Sequence, residues 1–158
     1  MRQKPAIIFS KSPEIGCDYC GKNLLNPPDG IWALWWTSSA ARLGQGNHYV
    51  DMHFACKGDC DRRVSARIKA KHASEGGICD SWDDIPDFCI PTVFVSKIMA
   101  FMNGFASGDT FTPEALHRTK QLILEVFPHI SRHLSPEDEK NLVRLRSIPA
   151  FLGGLGQS

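Results

Sequence analysis

The sequence lacks any apolar run long enough to cross a membrane, which requires about 18 consecutive apolar residues. Near its N-terminus the longest apolar run is AIIF at positions 6–9, which is shorter than the apolar core of a secretory signal peptide. These two absences predict a cytoplasmic protein with no membrane partner. Because disulfides are rare in the reducing cytosol, the six cysteines are interpreted first as metal ligands or buried thiols.

An excess of charge of one sign is also lacking, since 18 Lys and Arg stand against 17 Asp and Glu, for a formal net charge of +1. No global attraction to nucleic acid or to an acidic membrane follows, so a charged partner must be recognised by a local patch. The chain shows no internal repeat and no low-complexity segment. Its 158 residues fit a single domain that can bury a core without disulfides.

The sequence motifs of common enzyme classes are absent as well. There is no P-loop, no Gly-x-Ser-x-Gly, no His-Glu-x-x-His and no dinucleotide-binding fingerprint. No small-molecule substrate is therefore evident, and we predict a protein that does not catalyse a reaction.

What the sequence does contain is two close pairs of cysteines, Cys17-x2-Cys20 and Cys56-x3-Cys60, separated by 35 residues. Zinc binds four soft donors in a tetrahedron, and each short pair can supply two of them from one turn. We therefore predict one structural zinc ion. His53 lies at a ligand spacing from Cys56 and is an alternative fourth ligand, and an absence of metal also stays open.

The expected secondary structure favours an α+β fold. The aromatic run IWALWWT and the run HYVDMHF predict an antiparallel hairpin, and a helix is expected from residue 59 or 60 to the glycines at 76 and 77. Further helices are predicted at 92–103, 113–127 and 136–147, the last two with Thr112 and Ser135 as N-caps followed by proline. The predicted regions are a zinc finger region at 1–77, an acidic linker or loop at 78–91, and a C-terminal helical bundle at 92–158, with one shared core as an open possibility.

The segments CDYCGK and HFACKGDCDR resemble the knuckle and helix start of treble-clef zinc fingers of the MYND, TRASH and FCS-like layout. The resemblance covers about residues 15–72. It implies a hairpin and a helix around the metal, and a binding module that contacts proteins or, in some members, nucleic acid.

Basic residues concentrate in the predicted finger helix, where six Lys and Arg between positions 57 and 72 stand against two acids. Such a helix can contact phosphates, although the acidic segment 75–87 could fold back and neutralise it. Of the tryptophans at 32, 35 and 36, an exposed one could stack on a base or enter a protein interface. The candidate partner-binding residues are Arg62, Arg63, Arg67, Lys69 and Trp35.

Taken together, these features predict a zinc-binding regulator or adaptor with a macromolecular partner, a protein rather than nucleic acid. One alternative is a DNA- or RNA-binding finger. Another is an HNH-like nuclease, for which His48, Asp51, His53 and His72 are the candidate residues. Cys79 and Cys89 could hold a second ion with nearby acids, or be buried thiols.

Overall fold

The computed structural model describes residues 14–23, 25, 31–38 and 46–145, without the side chains of residues 31 and 32. Residues 24, 26–30 and 39–45, and the chain from 146 onward with the predicted end of the last helix, lie outside the described residues. The side chain of Trp32 lies outside them too.

The described chain combines a four-stranded sheet with five α-helices, which confirms the α+β class. The strands are β1 (Ile31–Ser38), β2 (His48–Cys56), β3 (Ile78–Asp84) and β4 (Thr110–Phe111). The helices are α1 (Asp59–Lys71), α2 (Ile85–Phe88), α3 (Pro91–Ala106), α4 (Pro113–His133) and α5 (Pro136–Leu145). The spatial order of the strands is β3-β1-β2-β4.

The predicted hairpin is present, with β1 antiparallel to β2 and Trp35 opposite Met52. The register shifts between Trp36 and Thr37, an irregularity that increases the local twist. Successive side chains of a strand point to opposite faces of a sheet. Accordingly, Trp35 and Trp36 are both buried but enter two different apolar clusters.

The segment 78–91, predicted as an acidic linker or loop, instead forms β3, α2 and the start of α3. β3 pairs antiparallel with β1, so one side of its backbone is hydrogen-bonded within the sheet. Its side chains are mostly exposed or half-buried, and an edge strand of this kind has no apolar alternation to reveal it. One of its acids pairs with the basic region, since Asp84 forms an ion pair with Lys57 at 2.6 Å. Asp83 instead bonds Lys97 of α3 at 2.5 Å.

Both predicted N-caps are confirmed. The Thr112 hydroxyl accepts a hydrogen bond from the Ala115 N–H at 3.2 Å, and the Ser135 hydroxyl accepts one from the Asp138 N–H at 3.1 Å. Helix α4 extends six residues past its predicted end at residue 127, through Pro128. Proline removes one helical hydrogen bond, but Pro128 and Ile130 are buried, so packing holds this last part of the helix in place.

The larger apolar cluster joins the hairpin to the helices. It contains Phe54 from β2, Phe88 from α2, and Leu122 and Val126 from α4, all 0% exposed. The smaller cluster joins Trp36 to Val64 and Ile68 of α1. The hairpin is thus packed on one face by α1 and on the other by the C-terminal helices.

Candidate metal centre

The first cysteine pair lies in a tight turn. The Cys17 N–H donates to the Lys22 carbonyl and the Gly21 N–H to the Cys17 carbonyl, both at 2.9 Å. Gly21 has φ of +72°, a left-handed conformation that glycine adopts without steric cost. The turn therefore places Cys17 and Cys20 on one side of a closed loop.

The second pair spans the junction between a strand and a helix. Cys56 is the last residue of β2, and Cys60 lies in the first turn of α1. Between them Gly58 has φ of +90°, which lets the chain reverse from the strand into the helix. The exposed N–H groups and the dipole of a helix N-terminus favour negative charge at this position, but burial and the neighbouring thiols oppose it at Cys60.

The fold brings the two pairs together. The four Sγ atoms all lie within 4.8 Å of one another, and those of Cys20 and Cys56 are 3.7 Å apart. Four sulfurs at about 2.3 Å from one zinc ion would lie about 3.8 Å apart in a regular tetrahedron. This cluster of four cysteines, the four-thiol cluster, could therefore hold a metal ion.

Crowding gives three of these thiols different pKa values. Burial opposes ionisation of Cys17, but backbone N–H groups and the Cys20 thiol outweigh it and lower the pKa of Cys17 to about 7. Burial together with the neighbouring thiols raises the pKa of Cys56 to about 12 and that of Cys60 to about 11. A divalent cation would supply the positive charge that several neighbouring thiolates require.

Asp18, between the first two cysteines, ties the turn to three other elements. Its carboxylate accepts hydrogen bonds from the Phe54 N–H at 2.8 Å and from Arg118 of α4, at 2.6 Å to each oxygen. Its carbonyl accepts one from Arg67 of α1 at 3.2 Å. The Arg118 guanidinium also lies over the Phe54 ring, 4.4 Å from its centroid. The cysteine turn is therefore fixed to β2, α1 and α4 by one residue.

His53, the alternative ligand, lies outside the four-thiol cluster. Its ring is 2% exposed and stacks on Trp36. The Trp36 Nε1–H donates to His53 Nδ1 at 2.9 Å, which leaves the proton on Nε2, 3.4 Å from Asp61. Burial lowers the pKa of His53 although Asp61 opposes the shift. The arrangement thus gives His53 partners other than a metal.

The nuclease candidates separate into two places. Asp51 is buried, and its Oδ2 lies 2.9 Å from His72 Nε2 and 2.8 Å from Lys71 Nζ. Burial alone would raise the pKa of Asp51, but the hydrogen bonds from Lys71 and His72 hold it below its usual value. His48 instead bonds the Thr110 hydroxyl at 2.7 Å. The contacts seen for these residues join α1 to β2 and β2 to β4.

The candidate partner-binding residues have mixed surroundings. Arg62 pairs with Asp59 on the surface, and Arg63 lies over the Tyr19 ring, 5.2 Å from its centroid. Arg67 bonds the cysteine turn, and Lys69 covers the buried Trp36 at 5.6 Å.

Trp35 does not lie on the surface, so the expectation of an exposed tryptophan at this position is wrong. It is 3% exposed, packs on Phe88 and Phe101, and donates a hydrogen bond to Thr119 at 3.0 Å. The aromatic run gives no indication of which tryptophan is covered by helices that come fifty or more residues later.

Three residues of this region were not identified from the sequence: Asp18, Tyr19 and Arg118. Asp18 and Tyr19 lie between two predicted ligands, and this position could have identified them from the sequence. Arg118 is 100 residues from Asp18 and carries no local mark of its role.

Cys79 and Cys89 take no part in a cluster of three or more possible ligands among the residues described. Cys79 is exposed on β3. Cys89 follows α2, and burial raises the pKa of its thiol to about 11. These surroundings correspond to a surface thiol and a partly buried thiol.

No helix in the described part of the chain is both long and apolar enough to span a membrane. No protein-family model matches the chain, and neither a curated protein nor a solved structure is significantly similar to it.

Proposed function

We propose that this protein is a non-catalytic zinc-binding adaptor or regulator of the cytoplasm, and that one structural zinc ion organises a treble-clef-like finger made of the cysteine turn, the hairpin and α1. The four-thiol cluster carries this proposal. Four sulfur donors within 4.8 Å of one another provide the soft ligand set that zinc prefers, and a site filled by four protein ligands leaves no position for an activated water.

A protein partner is favoured by the apolar surface of the helices. Met102, Phe105, Leu124 and Phe127 are each between 48% and 64% exposed. Large apolar side chains at the surface are typical of protein interfaces. A groove of about 240 Å³ opens beside Met102 and Phe105, and its wall includes Ile123. We therefore propose an apolar segment of another protein as the partner.

Nucleic acid is the second candidate, on one observation. Tyr19 is 51% exposed at the cysteine turn, with Arg63 over its ring and Arg62 on the same helix. An exposed aromatic ring beside arginines is a stacking platform for an unpaired base. Such binding would weaken steeply with salt.

The metal is tested first, by elemental mass spectrometry of protein purified without added metal and by counting reactive thiols before and after chelation. One zinc per chain, with four thiols released by the chelator, is the expected result. Zinc with three released thiols would put another ligand in place of a cysteine. No zinc, with every thiol reactive in native protein, would overturn the proposal.

The partner is tested with a photo-crosslinking amino acid placed at Met102, at Arg63 or, as a control, at exposed Lys140 of α5. A protein adduct at position 102 that Phe105→Ser abolishes, while the variant keeps its zinc and melting temperature, supports a protein partner. Nucleic acid crosslinked from position 63, with salt-dependent binding that Tyr19→Ala removes, would establish the second candidate instead. Equal adducts at all three positions would contradict both.

A further inference from the structure

A second site lies away from the cysteines, in a cavity of about 160 Å³ between the sheet and α3. Cavities that bury drug-sized ligands measure roughly 300–1,000 Å³, so this one suits a group of a few heavy atoms. Three aromatic side chains line it, Trp35 from β1, Tyr49 from β2 and Phe101 from α3.

The aromatic walls are held in place by contacts with one another and with residues outside the cavity. The indole of Trp35 donates a hydrogen bond to Thr119, and its ring lies 5.6 Å from that of Phe101 at an angle of 51°. Tyr49 stacks on Phe111 with centroids 4.4 Å apart. Walls fixed in this way lose little conformational freedom when a ligand enters.

The charges of the cavity are unbalanced. Asp83 and Asp109 contribute two carboxylates and Lys97 one ammonium, for a net charge of −1 when all three are ionised. Lys97 is engaged with Asp83 at 2.5 Å. The negative charge of Asp109 is thus not balanced by another ionised group lining the cavity.

Backbone contacts set the position of Asp109. One carboxylate oxygen accepts the Asn47 N–H at 2.7 Å, and the Asp109 N–H donates to the Gly104 carbonyl at 2.8 Å. A Cβ atom on Gly104 would lie 2.4 Å from the other carboxylate oxygen. Glycine at position 104 therefore allows the carboxylate to approach α3 closely.

We propose that this aromatic cavity binds an alkylated ammonium group, either a small quaternary ammonium compound or the methylated lysine side chain of a peptide. Aromatic faces attract a cation through their quadrupole and suit a cation that carries methyl groups in place of N–H donors. Asp109 supplies the opposite charge. The inference requires neither zinc nor a macromolecular partner, so it can fail while the proposed function stands.

The test compares choline with 3,3-dimethylbutan-1-ol, which has the same shape without the charge, by NMR titration of the complete zinc-loaded protein at constant ionic strength. Choline is expected to bind about tenfold more tightly, which corresponds to about 1.4 kcal/mol, with shifts at Tyr49 and Phe101. Equal binding of the two compounds would overturn the proposal. It would also be overturned if neither choline nor a peptide carrying trimethyllysine binds.

Variants locate the site. Phe101→Leu, Asp109→Asn and Gly104→Ala should each weaken choline binding several-fold to tenfold, and Lys97→Met should strengthen it by removing a competing cation. Asp80→Asn, on an exposed residue of β3 outside the cavity, is the control. Each variant is used only if its melting temperature shows that it is folded. If choline binds tightly and none of the four cavity variants changes its affinity, the ligand lies elsewhere and the proposal is contradicted.

A final comparison distinguishes the two sources of the ammonium group. A peptide carrying trimethyllysine is titrated against the same peptide with unmodified lysine. Tighter binding of the trimethyllysine peptide than of choline identifies a protein side chain as the ligand, whereas the reverse order identifies a free small molecule.

Discussion

The two faces of the hairpin are stabilised by different physics. On the face of α1, the small apolar cluster around Trp36 is accompanied by polar pairs such as His53 with Trp36 and Asp51 with Lys71. On the face of the C-terminal helices, contact is mainly apolar, through buried rings and aliphatic side chains around Trp35. Directional contacts tolerate few substitutions, whereas an apolar cluster can adapt to changes that conserve volume.

The four-thiol cluster should show the largest effect of substitution. Cys56→Ser is expected to abolish zinc binding and cooperative unfolding, because structural zinc contributes about 10–16 kcal/mol in zinc-finger peptides, comparable with a whole domain's stability of about 5–15 kcal/mol. Zinc content and thermal unfolding measure this. Cys79→Ser, at an exposed thiol outside the cluster, should behave as wild type, and a similar loss in both variants would contradict a specific metal site.

The second largest effect is expected on the face packed by the C-terminal helices, where α4 provides one buried and one exposed leucine for comparison. Leu122 is 0% exposed and Leu124 is 64% exposed. Leu122→Ala should lower the free energy of unfolding by about 2–5 kcal/mol through the cavity it leaves, whereas Leu124→Ala should change it by less than about 0.5 kcal/mol. Chemical denaturation of both variants with zinc bound gives the comparison. Equal effects would show that α4 does not pack as described.

The third prediction concerns the link between the two faces, the pair of Asp18 and Arg118. Asp18→Asn should lower the free energy of unfolding by about 1–2 kcal/mol, since it weakens charged hydrogen bonds that are about three-quarters shielded from solvent. A double-mutant cycle with Arg118→Gln isolates the coupling. The surface pair of Asp59 and Arg62 is the control, for which no measurable coupling is expected. Strictly additive effects of the two substitutions on the free energy of unfolding would show that Asp18 and Arg118 do not interact energetically.

The smallest effect is expected from pH, through His53. Burial keeps its folded pKa below that of the unfolded chain, so acidification below about pH 6.5 adds a proton to the unfolded state first and lowers the free energy of unfolding. The stabilisation is fully present above that pH and is lost as pH falls toward the folded pKa. Protonation of Nδ1 would also break the bond from Trp36.

His53→Asn keeps an acceptor for Trp36 and does not titrate. Unfolding of wild type and variant from pH 7.5 to 5.5 in equal excess zinc should therefore show a steeper decline in wild type. Parallel curves would mean that His53 is not buried as a neutral base.

Local signals identified much of the fold correctly. The capping residues Thr112 and Ser135 marked two helix starts because a cap and its helix are neighbours in sequence. The hairpin followed from aromatic and alternating runs. The strand β3 was not predicted because its exposed acidic residues show no apolar alternation, and its pairing with β1 is made by backbone atoms.

By itself, then, the sequence determined the four longer helices, the hairpin and the pairs of cysteines, since these depend on residues that are close along the chain. Only the tertiary structure decided that Trp35 is covered by α2 and α3, that His53 bonds Trp36, and that Arg118 reaches Asp18. Each of these depends on packing between elements distant in sequence, where burial and geometry choose among partners that the sequence presents as equivalent.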